Sequence, residues 1–88
     1  MSPIDRYREI LEQNGRRMTR ERRTIVETAL GFLRAFTVDE LMAELRRKGC
    51  RVGRSTVYRT LQHLVHTRFL CRFSRLDTFL PLTGRITW

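Results

Sequence analysis

Cysteine is sparse in this sequence: Cys50 and Cys71 stand alone, and neither belongs to a Cys-x-x-Cys pair. The other soft ligands are His63 and His66, three apart and able to share a helix face, but two histidines with no third ligand do not make a metal site. No metal or other cofactor is therefore expected. The two thiols read as small, reduced, partly buried side chains in a reducing compartment. Lysine is nearly missing as well. Lys48 is the only one among 18 basic residues, so the +9 net charge left by 9 acidic residues is carried almost wholly by arginine. A nucleophile beside a base, a pair of working carboxylates and a phosphate-cradling glycine loop are all lacking, which argues against an enzyme and a small-molecule substrate. No apolar run has the length of a membrane span or a signal-peptide core, and a cytoplasmic protein is expected.

What is present is guanidinium. Its planar, permanently charged fork of donors matches phosphates and base edges better than an ammonium does. A polyanionic partner follows, and nucleic acid comes before membrane because the basic clusters fall at helix starts and turns, not beside a wide apolar stripe. The 88 residues suffice for one small core. They divide into a domain over residues 1–80 and an unassigned tail over residues 81–88.

In chain order, Ser2-Pro3-Ile4-Asp5 starts a first helix, with Ser2 as N-cap and Pro3 at the first helical position, and Gly15 stops it. Ile4, Tyr7 and Leu11 form its apolar side. The stretch from Gly15 to Arg23 is the densest in arginine and leads into a second helix capped by Thr19. Backbone amides at that helix start, together with the flanking arginines, suit a phosphate backbone; a solvated charge run is the plainer alternative. Ile25, Val26, Ala29, Leu30 and Leu33 are the expected buried face of this helix, which should end near Phe32 to Arg34. Thr37 and Glu40 then form a capping box, with Phe36 and Leu41 placed as a hydrophobic staple. The third helix begins there, turns Val38, Leu41, Met42 and Leu45 inward, and stops at Gly49.

After the turn Gly49-Cys50-Arg51-Val52 comes the stretch on which the rest converges, Val52 to Val65. At about 100° per residue, Val57, Leu61, Leu64 and Val65 fall within roughly a third of the circumference, the stripe of a helix packed on a core. Ser55, Arg59, Gln62 and His66 lie opposite, with Thr56, Tyr58 and His63 on the flanks. No carboxylate interrupts that face. Arginine matches guanine, glutamine matches adenine and an aromatic ring meets the thymine methyl, so the face suits a major groove; a solvated helix surface is again the plainer reading. Phe69 to Phe73 and Thr78 to Leu80 read as a hairpin around Ser74-Arg75-Leu76-Asp77, with Arg68, Arg72 and Arg75 charging it. The fold class is therefore mainly α: a winged helix-turn-helix of four helices followed by a short β-hairpin wing.

Three motifs agree in order and spacing with a known family: Gly15-x-Arg17-Met18-Thr19-x-x-Arg22, then Thr37-x-x-Glu40-Leu41, then Thr56-Val57-Tyr58-Arg59-Thr60-Leu61-x-x-Leu64. Over about residues 6 to 73 the chain resembles the DNA-binding half of the ferric uptake regulator family. The resemblance implies a winged helix and a repressor-like function. It puts Tyr58 and Arg59 in the major groove with Ser55 and Thr56 beside them, sends Arg17 toward an AT-rich minor groove, and sets Arg22 on a phosphate. Members of that family continue into a second domain that dimerises and binds regulatory metal through a His-rich motif, often with a Cys-x-x-Cys zinc site, and this sequence contains no such motifs. Ala35 stands where a sensing histidine is frequent. Arg68 stands where the fourth helix usually ends in glycine, and a left-handed arginine there should cost about 1 kcal/mol.

The leading expectation is sequence-dependent binding of double-stranded DNA by a transcription regulator that is metal-independent in this truncated form, on an AT-rich operator. A homodimer would bind best, and the tail through Phe79, Leu80, Ile86 and Trp88 is the visible candidate for joining two copies; its other role is closing the core. The alternative is a winged-helix adaptor that meets a protein through the same tail. RNA binding is a third possibility.

Overall fold

A computed structural model describes residues 2–73 and 77–82. In order the chain forms α1 (Pro3–Gln13), α2 (Arg20–Leu30), β1 (Phe36–Thr37), α3 (Val38–Arg47), α4 (Arg54–His66), β2 (Leu70–Phe73) and β3 (Thr78–Pro81). The four helices and the hairpin are as expected; β1 is additional.

Short polar side chains start the first three helices by accepting from backbone N–H groups that have no helical partner. Ser2 and Asp5 cap α1 reciprocally. Thr19 Oγ1 accepts from the Arg22 N–H at 3.1 Å. Thr37 Oγ1 accepts from the Glu40 N–H at 3.1 Å, while the Thr37 N–H donates to Glu40 Oε1 at 2.8 Å. By contrast, α4 begins at Gly53 with no side-chain cap.

The helices α1, α3 and α4 end alike. Two residues past each cap, an N–H returns to a carbonyl of the last turn: Arg16 to Leu11 at 2.8 Å, Cys50 to Leu45 at 2.9 Å and Phe69 to Leu64 at 2.8 Å. The residue before each of these must take a positive φ, and it is 72° at Gly15, 78° at Gly49 and 69° at Arg68. The first two turns use glycine, for which this region is open, and the third forces an arginine into it.

Helix α2 is shorter than its apolar pattern suggests. It stops at Leu30 with Gly31 as its cap, so Leu33, expected on the buried face, is 98% exposed. Thr28 lies inside with Ile25, Val26 and Ala29. Its hydroxyl donates to the Thr24 carbonyl at 2.7 Å and accepts from Lys48 Nζ at 2.9 Å, so no polar atom is stranded. A similar substitution occurs on α4, where Thr60 is buried and bonded back to the Thr56 carbonyl at 3.0 Å, while Val65 is only half-buried.

The sheet order is β1-β3-β2, antiparallel throughout, with Phe36 opposite Phe79 and Thr37 opposite Thr78. Thr37 thus ends a strand and caps a helix in one position. Phe36 and Phe79 are both fully buried, with ring centroids 6.0 Å apart, and Phe32 stacks on Phe36 at 4.5 Å. Phe79 therefore belongs to the core, and Leu80 is half-buried. The ladder runs on to Pro81 opposite Leu70, and the Leu82 N–H donates to the Phe69 carbonyl at 3.0 Å. Ile86 and Trp88 of the tail and Arg75 of the wing lie outside the described residues.

Two substitutions check this account by urea unfolding. Arg68→Gly should raise stability by about 1 kcal/mol through relief of the left-handed strain. Leu33→Ala should change it by less than about 0.5 kcal/mol, as for other exposed positions; a loss of several times that would return Leu33 to the core.

Candidate nucleic-acid interface

Residues 48–53 join α3 to α4 as a short turn, and α4 packs against α2, α3 and β2. Val57, Leu61 and Leu64 are fully buried in that contact. Ser55, Arg59, Gln62 and His66 are exposed, and Thr56, Tyr58 and His63 are half-buried beside them. The polar face read from the periodicity is therefore the outward face, because burial of the apolar stripe leaves only that side to solvent.

At the start of α4, Arg54 meets Asp39 of α3 at 2.6 Å, an exposed pair that ties the two helices of the motif. Farther along, Tyr58 leans toward the wing. The Asp77 carboxylate beside its hydroxyl, helped by partial desolvation, pushes the phenol above its ordinary pKa. Asp77 also lies 3.4 Å from Arg72 of β2.

On the other flank of α4 lies a basic cleft. The connection between α1 and α2 contributes Arg16 and Arg17, the first turn of α2 contributes Arg22, and α4 contributes Thr56 and Arg59. The local causes are the turns described above. The left-handed Gly15 folds Arg16 back over the end of α1, and the Thr19 cap fixes where α2 begins. None of the arginines at positions 16, 17, 22 and 59 belongs to an ion pair among the described residues, whereas Arg23, Arg34, Arg47, Arg54 and Arg72 each have a carboxylate within 4.0 Å. Glu21 is the one acid on the cleft wall. Positive charge left without a carboxylate partner in a concave site suits a phosphate.

The fold thus gathers Arg17, Arg22, Thr56 and Arg59 into one cleft. Ser55, Tyr58 and Gln62 lie outside it, on α4, Ser55 and Gln62 on its exposed face and Tyr58 turned toward the wing. Arg16 was legible only as part of a basic run. Two further residues were not connected to this cleft in the sequence: Tyr7, assigned to the core side of α1, and His63, weighed as a soft ligand and placed on a flank of the polar face of α4. Tyr7 is fully buried, yet its hydroxyl accepts from Arg22 Nη1 at 3.1 Å and lies 2.6 Å from His63 Nδ1. Burial pushes the Tyr7 phenol up, with Arg22 opposing. His63 is pushed down, first by burial and then by the positive charges of Arg16 and Arg22, with a smaller contribution from the neighbouring His66. The hint in the sequence was a tyrosine, with its polar tip, on an otherwise aliphatic helix side.

The family model described as the ferric uptake regulator family matches residues 13–78. The chain belongs to the ferric uptake regulator family. No individual curated protein matches it significantly. Members of the family are transcription regulators that bind DNA and form dimers, and the domain seen here is of that general DNA-binding kind. The matched segment includes every residue assigned above to the cleft and to the outward face of α4, while Tyr7 of α1 precedes it. Among the described residues no helix is long and apolar enough to cross a membrane.

The lowered His63 pKa links folding to pH. Below its ordinary value of 6.5 the unfolded ring takes a proton before the folded one does, so stability is full above that pH and declines as the pH falls toward the folded value. Urea midpoints should therefore drop between about pH 7.5 and about pH 6, and the drop should shrink in His63→Gln. An equal drop in both proteins would mean that His63 titrates as a free imidazole.

Proposed function

We propose that this domain binds double-stranded DNA in a sequence-dependent manner, as a cytoplasmic repressor whose fourth helix enters the major groove. The observation that carries this reading is the cleft of arginines that have no ion pair among the described residues, directly beside the outward face of α4. A phosphate seated there sets the helix against the base edges on the same strand side. Phosphate contacts fix register, and base contacts read sequence. In this arrangement Arg22 holds a phosphate, Tyr58 and Arg59 reach base edges with Ser55 and Thr56 beside them, and Gln62 reads farther along the groove. Arg17, exposed at the mouth of the cleft, reaches the adjacent minor groove, whose negative potential is greatest in AT-rich DNA.

Two further elements complete the reading. In this reading the contacts with DNA are made by these side chains alone and require no metal. High affinity requires two copies on a pseudo-palindromic site, because one small winged helix reads one half-site.

Selection from a random duplex pool should enrich a defined AT-rich site. On that site Arg59→Ala and Tyr58→Ala should each lose roughly 1 to 3 kcal/mol of binding while random DNA is affected far less. Equal losses on both would reduce these residues to phosphate contacts. Arg22→Ala should weaken every duplex alike and lower the salt slope by about one. Arg17→Ala should cost more on AT-rich than on GC-rich flanks, and neither zinc nor chelator should alter any of these affinities.

A further inference from the structure

Tyr7 joins helices that are otherwise linked by apolar packing. Its ring is fully buried, edge-on to Phe69 at 5.6 Å and to His63 at 5.4 Å between centroids, so its hydroxyl has a fixed position. A guanidinium only donates, so the bond from Arg22 Nη1 uses a lone pair of the Tyr7 oxygen; with no other acceptor bonded to this buried hydroxyl among the described residues, we assign its single proton to His63 Nδ1. That nitrogen is then unprotonated, and the neutral imidazole carries its hydrogen on Nε2. The chain of donors has one direction: Arg22 to Tyr7 to His63.

Arg22 is at the same time a wall of the basic cleft. One of its five N–H groups is committed to the buried hydroxyl, and the others remain for a ligand. A solvated arginine gives up much of its rotamer freedom when it grips a phosphate. Here that freedom is already restricted in the unliganded domain, which lowers the cost of the contact.

We propose that Tyr7 is a positioning residue for DNA binding, acting from α1 through its hydroxyl to hold the Arg22 guanidinium in the phosphate cleft, with His63 as the acceptor that orients the hydroxyl. This rests on the reading of Arg22 as a phosphate contact. It extends the determinants of affinity to a helix that contributes no lining residue to the cleft.

The test is a double-mutant cycle on the full chain with the selected duplex, read by fluorescence anisotropy. Tyr7→Phe keeps the buried ring and removes only the hydroxyl, and His63→Leu, the second variant, removes only the acceptor side of the bridge. Each should weaken binding about 3- to 10-fold, the scale of one hydrogen bond, and neither should weaken it further once Arg22→Ala is present. Nitrogen-15 spectra should show the Nε2–H tautomer of His63 in the parent and an upward shift of its titration in Tyr7→Phe. Losses that persist undiminished in the Arg22→Ala background, or unchanged affinity in Tyr7→Phe, would overturn the proposal and leave the bridge a packing feature. If Arg22→Ala itself binds DNA as the parent does, the phosphate role of Arg22 fails first, and the positioning role falls with it.

Discussion

A helix can offer a groove one face only if the opposite face is held, and in this domain that constraint is met by the burial of Val57, Leu61 and Leu64 of α4 against α2, α3 and β2. Fully burying such side chains contributes roughly 1.5 to 3 kcal/mol each, far more than any exposed ion pair here. The other elements are arranged around that contact. The α3–α4 turn sets where the helix starts, the left-handed Arg68 ends it, and the Phe69–Leu70 segment passes directly into the sheet.

The handling of charge follows a second logic. A small domain carrying +9 repels itself, and five of its nine acidic residues pair with arginines that do not line the cleft: Glu27 with Arg23, Glu40 with Arg34, Glu44 with Arg47, Asp39 with Arg54 and Asp77 with Arg72. Exposed pairs of this sort add little to stability. Their effect is on the distribution of potential. Arginines without an ion pair among the described residues are left where the α1–α2 connection, α2 and α4 meet, a distribution that suits a polyanion.

Membership of the ferric uptake regulator family places this domain among DNA-binding transcription regulators. The structure adds a connection that the motifs do not contain. Tyr7 precedes the matched segment, yet it bridges Arg22 and His63, which lie within it.

Local features were legible in the sequence because local physics produces them. The caps at Ser2, Thr19 and Thr37, the stops at Gly15 and Gly49, and the polar face of α4 depend on residues within about one helical turn of each other. What the sequence could not determine was anything decided across the chain. Leu33 continues the apolar spacing of α2 but is left in solvent, because the helix ends at Leu30 and the chain turns away toward the sheet. Phe36 and Thr37 read as a staple and a cap, and became a strand only because Phe79 and Thr78 lie opposite them. The cleft likewise required the α1–α2 connection to be laid beside α4. Periodicity and capping report on neighbours a few residues apart, whereas strand pairing and a hydroxyl shared by residues 7, 22 and 63 exist only once the core has brought distant segments together.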